Sequence, residues 1–211
     1  MNTFRTILLL FSLALGLNAA DTWHLTAGGS YAVPVGDLAI WFKPDLGLTL
    51  GLGRQQANGW QVEGRIEADR FTRENLDGYA AEAVSLELEH IGLMINGRRR
   101  LAGSEKLGFY LNLGAGPHYW KGVRSAVAAD SSIDLPAIGE RVLEEGNWAA
   151  RTGLGLEWRP NPSLGIETSL DYRLVIGSLW PTMQQHIELE AVSGFSTVNA
   201  ALRIRYYFRG F

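Results

Sequence analysis

The eleven residues Val198 to Phe208 (VNAALRIRYYF) put Val198, Ala200, Leu202, Ile204, Tyr206 and Phe208 on one side of an extended chain. Asn199, Arg203 and Arg205 fall on the other. A period of two sorts side chains onto opposite faces of a pleated strand, so one face here is apolar along its whole length and the other carries charge. We read this segment as a strand with one side against lipid.

The same pattern recurs seven more times. Strands are expected at approximately 22–34, 46–55, 60–72, 83–96, 107–121, 147–159, 164–177 and 196–208. In the second, Leu46, Leu48, Leu50 and Leu52 oppose Gly47, Thr49, Gly51 and Gly53; in the third, Trp60, Val62, Ile66 and Ala68 oppose Gln61, Glu63, Arg65, Glu67 and Asp69. The fourth starts with Val84, Leu86 and Leu88 against Ser85, Glu87 and Glu89, then loses phase at His90-Ile91, where a bulge near Gly92 would restore it.

Connections alternate in length. Short ones follow strands two (Gln56 to Gly59), four (Gly97 to Lys106) and six (Pro160 to Ser163). Longer ones follow strands one (Pro34 to Asp45), three (Arg73 to Glu82), five (Gly122 to Gly146) and seven (Ser178 to Phe195). An even strand number with this alternation brings both chain ends to the side of the short turns, as in a barrel threaded through an outer membrane.

The beginning of the chain fits export. Arg5 precedes the apolar run Ile7 to Leu17, too short to span a bilayer as a helix, and Asn18-Ala19-Ala20 offers small residues for cleavage. We expect residues 1–20 to be a signal peptide helix and 21–211 one barrel domain. Removing Arg5 from the chain's 19 Lys+Arg leaves 18 against 22 Asp+Glu, a mildly acidic balance of −4 that gives no reason to expect nucleic acid. With no Cys there are no disulfides and no Cys metal ligands, and no cofactor is called for.

A soluble eight-stranded barrel would also alternate, with its apolar face inside. Its solvent face would carry Lys and Thr. Here the polar face carries Gly, Glu, Asp and Arg, and of the three lysines only Lys121 lies in a strand. Aromatics stand where a bilayer interface would place them: Trp23, Trp60, Trp158, Tyr206 and Phe208 near one rim, Tyr119, Trp148 and Tyr172 toward the other. The fold class expected is all-β, an eight-stranded antiparallel up-and-down transmembrane β-barrel.

On these marks, together with the Gly-rich segments Gly47 to Gly53 (GLTLGLG) and Gly108 to Gly116 (GFYLNLGAG) and the aromatic last strand, the chain resembles the OmpA/OmpX-type small outer-membrane β-barrel proteins along its whole mature length. The resemblance implies location in a bacterial outer membrane, and contact with its lipid and lipopolysaccharide. It implies insertion by the barrel-assembly machinery, reading Leu202, Ile204, Tyr206 and Phe208 as the assembly signal. Family members usually end on the aromatic residue, whereas Phe208 is followed by Arg209-Gly210-Phe211. The fold itself hosts tethers, adhesins, narrow channels and lipid-modifying enzymes, so it assigns no activity.

The polar face predicts a charged lumen holding Glu63, Glu67, Asp69, Glu87, Glu89, Glu157, Glu167 and Asp171 against Arg65, Arg151, Arg159, Arg173, Arg203 and Arg205. An isolated charge there costs several kcal/mol, so near-balance points to an interlocked network that closes the bore. The alternative is a narrow, cation-preferring channel with a slight acidic excess. A lipid A-modifying enzyme would need a nucleophile beside a base, and the one pairing to consider is His118 with Ser125 or with the acids of the following loop. In the longest loop, Asp134 to Glu145 (DLPAIGERVLEE) has apolar residues at helical spacing and should form a short acidic surface helix, while Arg98, Arg99, Arg100 and Lys106 make a basic periplasmic turn. We expect a monomeric, non-enzymatic protein with a structural or surface-interaction role, whose loops meet any extracellular ligand.

Overall fold

The computed structural model describes residues 22–56, 59–72, 85–126, 137, 139–176 and 195–209. They form eight strands, β1 (Thr22–Val35), β2 (Asp45–Gln55), β3 (Trp60–Phe71), β4 (Leu86–Gly103), β5 (Leu107–Arg124), β6 (Arg141–Asn161), β7 (Leu164–Ile176) and β8 (Phe195–Arg209). Each pairs antiparallel with its sequence neighbours, and β8 pairs with β1 to close the barrel. A four-residue helix, α1 (Leu38–Trp41), lies in the first long connection. The signal segment 1–20, residues Gly210 and Phe211, and most of the long loops lie outside the described residues.

Following paired residues around the wall from Leu25 through Gly64, Ala115 and Leu174 returns to β1 at Val35, ten residues further along. For eight strands a stagger of ten tilts them by about 40° to the barrel axis and leaves a bore that side chains fill. The inner face is therefore a packed layer.

The alternation read in the sequence places the side chains as expected through most of the wall. Leu46, Leu48, Leu50, Ile66, Leu154, Leu170, Leu202 and Ile204 are exposed on the outside, while Glu63, Glu67, Arg151, Arg203 and Arg205 are buried inside. Along β4, five turns of the pleat separate Glu89 from Arg99, with Ile91, Leu93, Ile95 and Gly97 outward between them. Ten residues span about 33 Å of strand, or about 25 Å of height at this tilt, which is the apolar band of an outer-membrane barrel. Its outer edge is drawn by Arg70, Glu89, Lys121 and Glu144, which stand opposite one another in turn on β3 to β6 and alternate in sign. Its inner edge carries Trp60, with the Arg99 guanidinium 5.8 Å from the ring centre.

Three expectations are corrected. No bulge interrupts β4 near Gly92. Its pairing with β5 keeps one register from Leu86 to Arg100 and shifts only between Arg100 and Ala102. Leu86 and Leu88 therefore point inward, and Glu87 and Glu89 point outward to Arg70 instead of into the lumen. The outer end of the bore is apolar, so an unbroken alternation exchanges residue types where the strand leaves the apolar band. Second, β4 runs on to Gly103, and the basic turn shrinks to Ser104 to Lys106. Gly103 adopts φ of 129°, a conformation that disfavours any side chain. Third, Arg141 to Glu145 are strand, not helix, because β5 extends to Arg124 and supplies backbone partners: Arg124, Val123, Gly122, Lys121 and Trp120 pair with them in order. Asp134 to Pro136 and Ile138 of that expected helix lie outside the described residues.

Candidate functional site

Charged lumen residues come from β3, β4 and β6 to β8, with β1, β2 and β5 adding polar and aromatic ones such as His24, Thr49, Tyr110 and His118, and the tilt brings distant strands within one guanidinium's reach. Arg205 binds Glu63 at 3.1 Å and Glu167 at 2.6 Å. Arg203 continues from Glu167 at 2.9 Å to Asp171 at 3.3 Å. Arg151 binds Asp171 at 3.0 Å and crosses the bore to Glu67 on β3. Arg65 then links Glu67 at 3.5 Å back to Glu63 at 2.6 Å. Four arginines and four carboxylates thus form a closed ring of alternating charge. All eight are nearly solvent-free, and each charge faces two of opposite sign, the condition under which buried ions offset their desolvation.

Two branches extend the ring along the axis. Toward the mouth at the short turns, Arg98 binds Glu157 at 2.6 Å and lies over the Tyr110 ring at 3.5 Å; Arg159 and the Tyr207 hydroxyl also bind Glu157, each at 2.6 Å. Toward the outside, Arg173 lies 3.6 Å from Glu67 and 2.5 Å from Asp69. Thr26 donates its hydroxyl to Glu63 at 2.8 Å, and His24 contacts the same carboxylate oxygen at 3.0 Å. A cavity of about 10 Å³ remains among Ser30, Thr49, Glu67, Asp69, Arg151, Arg173, Asn199 and Arg203, the room taken by one water molecule.

Above the ring the lumen turns apolar. Leu38 and Phe42 from the first long connection pack with Phe71, Leu88, Trp120 and Phe195 in one buried cluster. His90 and His118 sit at its base, with His90 Nδ1 3.0 Å from His118 Nε2 and the Phe71 and Phe195 rings 5.4 and 5.1 Å from His90.

Glycine makes this filling possible. A Cβ on Gly51 would stand 2.8 Å from a Glu63 carboxylate oxygen, one on Gly53 2.7 Å from the His24 ring, and one on Gly165 2.6 Å from Glu157. The bore is too narrow for two full layers of side chain, so long ones on one strand lie over glycines on the next.

Of the expected lumen residues, Glu63, Arg65, Glu67, Asp69, Arg151, Glu157, Arg159, Glu167, Asp171, Arg173, Arg203 and Arg205 are brought together, with Arg159 half-buried at the mouth. Glu87 and Glu89 are not among them, for the reason given above. Arg98, assigned to a turn, belongs to the network because β4 continues past Gly97. His24 and Tyr207 were also missed, although both fall on the inward parity of their strands, and Gln61 and Tyr110, on the polar side of theirs, join the network as uncharged partners of Arg98. The ion-pair network of the bore then joins six acids to seven arginines, so it lacks the acidic excess expected for a cation-preferring path. The pairing of His118 with Ser125 does not form: His118 is buried against His90, and the Ser125 hydroxyl accepts a hydrogen bond from the Ser85 amide at 2.8 Å. No group of three or more potential metal ligands occurs among the described residues.

No protein-family model and no curated protein sequence matches this chain. Solved structures do. A major outer membrane protein from Thermus thermophilus superposes with a TM-score of 0.59 at 11% identity, over 90% of this chain and 100% of the other. Neisserial surface protein A gives 0.55 at 10% identity over 88% and 97%. Ail, the attachment invasion locus protein of Yersinia pestis, in complex with the heparin analogue sucrose octasulfate, gives 0.54 at 15% over 90% and 99%. The closed eight-stranded wall, its apolar outside and these likenesses together give the chain the fold of the OmpA/OmpX-type small outer-membrane β-barrels.

Proposed function

We propose that this protein is an integral barrel of a bacterial outer membrane, closed to ions, which acts through the loops at its outer end and catalyses no reaction. The closed ring of Arg65, Arg151, Arg203 and Arg205 with Glu63, Glu67, Glu167 and Asp171 carries this reading. An ion passing the ring would have to part paired buried charges, and a second barrier of apolar side chains lies above it. The apolar band about 25 Å tall supports residence in the membrane. Its upper charged row of Arg70, Glu89, Lys121 and Glu144 stands at the height of the lipopolysaccharide headgroups.

An extracellular ligand would meet the long connections between strands. The non-catalytic reading is supported by the histidines among the described residues: His24, His90 and His118 are all buried against other side chains of the lumen. Planar-bilayer recordings test closure, with no steady single-channel steps expected from protein whose folding is verified by a heat-dependent shift in electrophoretic mobility. Sustained steps would replace this reading with a channel. Mass spectra of lipid A with and without the protein test the other half, and an altered acyl pattern would make it an enzyme.

A further inference from the structure

The outside of a barrel is convex, yet this wall carries a broad, open depression of about 980 Å³ over strands β8, β1, β2, β3 and β4. Its floor is made by Ala27 and Gly64. Ala27 stands between Ile204 and Leu50, and Gly64 between Leu52 and Ile95, so small residues are flanked on both sides by long ones. Leu25, Ile66 and Tyr206 complete the rim. Its lining is almost wholly apolar. Five strands leave four gaps, about 19 Å measured around the wall from β8 to β4.

One side of the depression lies near the rim of the short turns. Leu25 and Tyr206 are one step of the pleat from Trp23 and Phe208 at the periplasmic rim, and Gly64 is two steps from Trp60. Arg99 is exposed at that rim, stacked with Trp60, whose ring also covers Gly97. Arg99 and Trp60 do not line the depression; they stand four residues along β4 and β3 from Ile95 and Gly64, about 13 Å of strand that the head of a lipid would bridge to its chain, and a cation beside an indole there matches a phosphate on a hydrocarbon chain.

We propose that this depression is a binding site for one acyl chain of a phospholipid of the periplasmic leaflet, its phosphate held at Arg99. The proposal rests on the outer-membrane reading above. Only the loop end meets lipopolysaccharide, so the occupant at this rim is a glycerophospholipid.

Native mass spectrometry of the folded full-length barrel, incubated with palmitoyl-oleoyl-phosphatidylethanolamine, tests it. The wild type should keep one phospholipid at collision energies that strip detergent. Filling the floor with the double substitution Ala27→Leu and Gly64→Leu should lower that retained fraction about tenfold, and Arg99→Gln about threefold, the loss of one modest polar contact. Ala115→Leu, on the opposite outward wall, should change nothing. All variants alter the lipid face, so the heat-dependent mobility shift confirms folding in each. Equal retention by the filled variant overturns the proposal, as does equal loss in Ala115→Leu, which would mean unselective boundary lipid. A retained dimer in place of the lipid also overturns it. A barrel that never enters vesicles contradicts the outer-membrane reading itself, which separates the two failures.

Discussion

Nε of Arg205 donates to Oε2 of Glu167 at 2.6 Å, and Nη1 of the same guanidinium lies 3.1 Å from Oε2 of Glu63 on the far wall. One side chain thus ties β8 both to its neighbour β7 and to β3. Bonds between adjacent strands hold the wall; cross-lumen pairs such as these fix its diameter. In this barrel the ions replace the apolar core of a soluble fold.

Removing one member should therefore cost more than the member contributes. Arg205→Met leaves Glu63 and Glu167 with unbalanced buried charge, and unfolding in lipid vesicles, followed by tryptophan fluorescence, should show a loss of about 3–5 kcal/mol. Adding Glu167→Met to that variant should cost less than the two single changes together, because one of the two carboxylates orphaned at Arg205's place is then gone. Additive losses would show that the ring is a list of independent pairs.

Charge on the outer row should behave differently from charge in the bore. The Glu89 side chain is about half exposed and pairs with an equally open Arg70 at 3.3 Å, so Glu89→Lys should cost no more than about 1 kcal/mol. Most of that cost should vanish near 1 M salt, where the screening length is about 3 Å. Glu67→Gln, inside, should cost more and be nearly insensitive to salt. If Glu89→Lys matched Glu67→Gln in size and salt response, Glu89 would face the lumen after all.

This contrast also marks how far the sequence could be read. Strand number, barrel closure and the inward or outward side of Glu63 through Asp69 follow from a period of two, because each face meets one environment over most of the wall. The same rule misled at Glu87 and Glu89. Parity says only which residues share a face; polarity was used to name the face, and beyond the hydrocarbon the bore becomes apolar and the outside polar. Arg98 was misplaced because three consecutive arginines resemble a solvated turn, and only the pairing of β4 with β5 shows that the strand continues. The ring itself was not legible. Which arginine meets which carboxylate depends on a stagger of ten around the barrel, and that stagger is the sum of eight registers.

Two barriers in series make a definite statement about conductance. Opening the ring alone, with Arg151→Ala, should give no steady steps in a planar bilayer, because Phe71, Leu88 and Phe195 still exclude water above it. Opening the apolar cluster alone, with Phe71→Ser and Leu88→Ser, should also fail, because the ions remain paired. All three substitutions together should conduct. Steps from Arg151→Ala by itself would show that the apolar cluster is leaky and that the ring is the only closure.

Glycines in the bore provide the sharpest test of close filling, since two glycines of the wall differ in surroundings but share a strand environment. Gly29 points outward, and a Cβ there would meet only the Gly47 carbonyl oxygen, at 3.5 Å. Gly29→Ala should be neutral or stabilising by about 0.4–1 kcal/mol, through the reduced freedom of the unfolded chain. Gly51 points inward, and its Cβ would stand 2.8 Å from Oε1 of Glu63, an atom already fixed by Arg65 at 2.6 Å. Glu63 cannot swing away without releasing Arg65, His24 and Arg205, so Gly51→Val should lose the about 1–3 kcal/mol of overpacking and part of the ring as well. The readouts are the fraction of protein in the heat-sensitive folded band and the denaturant midpoint. Were Gly51→Val to fold as fully and as stably as Gly29→Ala, the bore would contain slack, and the tight ring would not be what fills it.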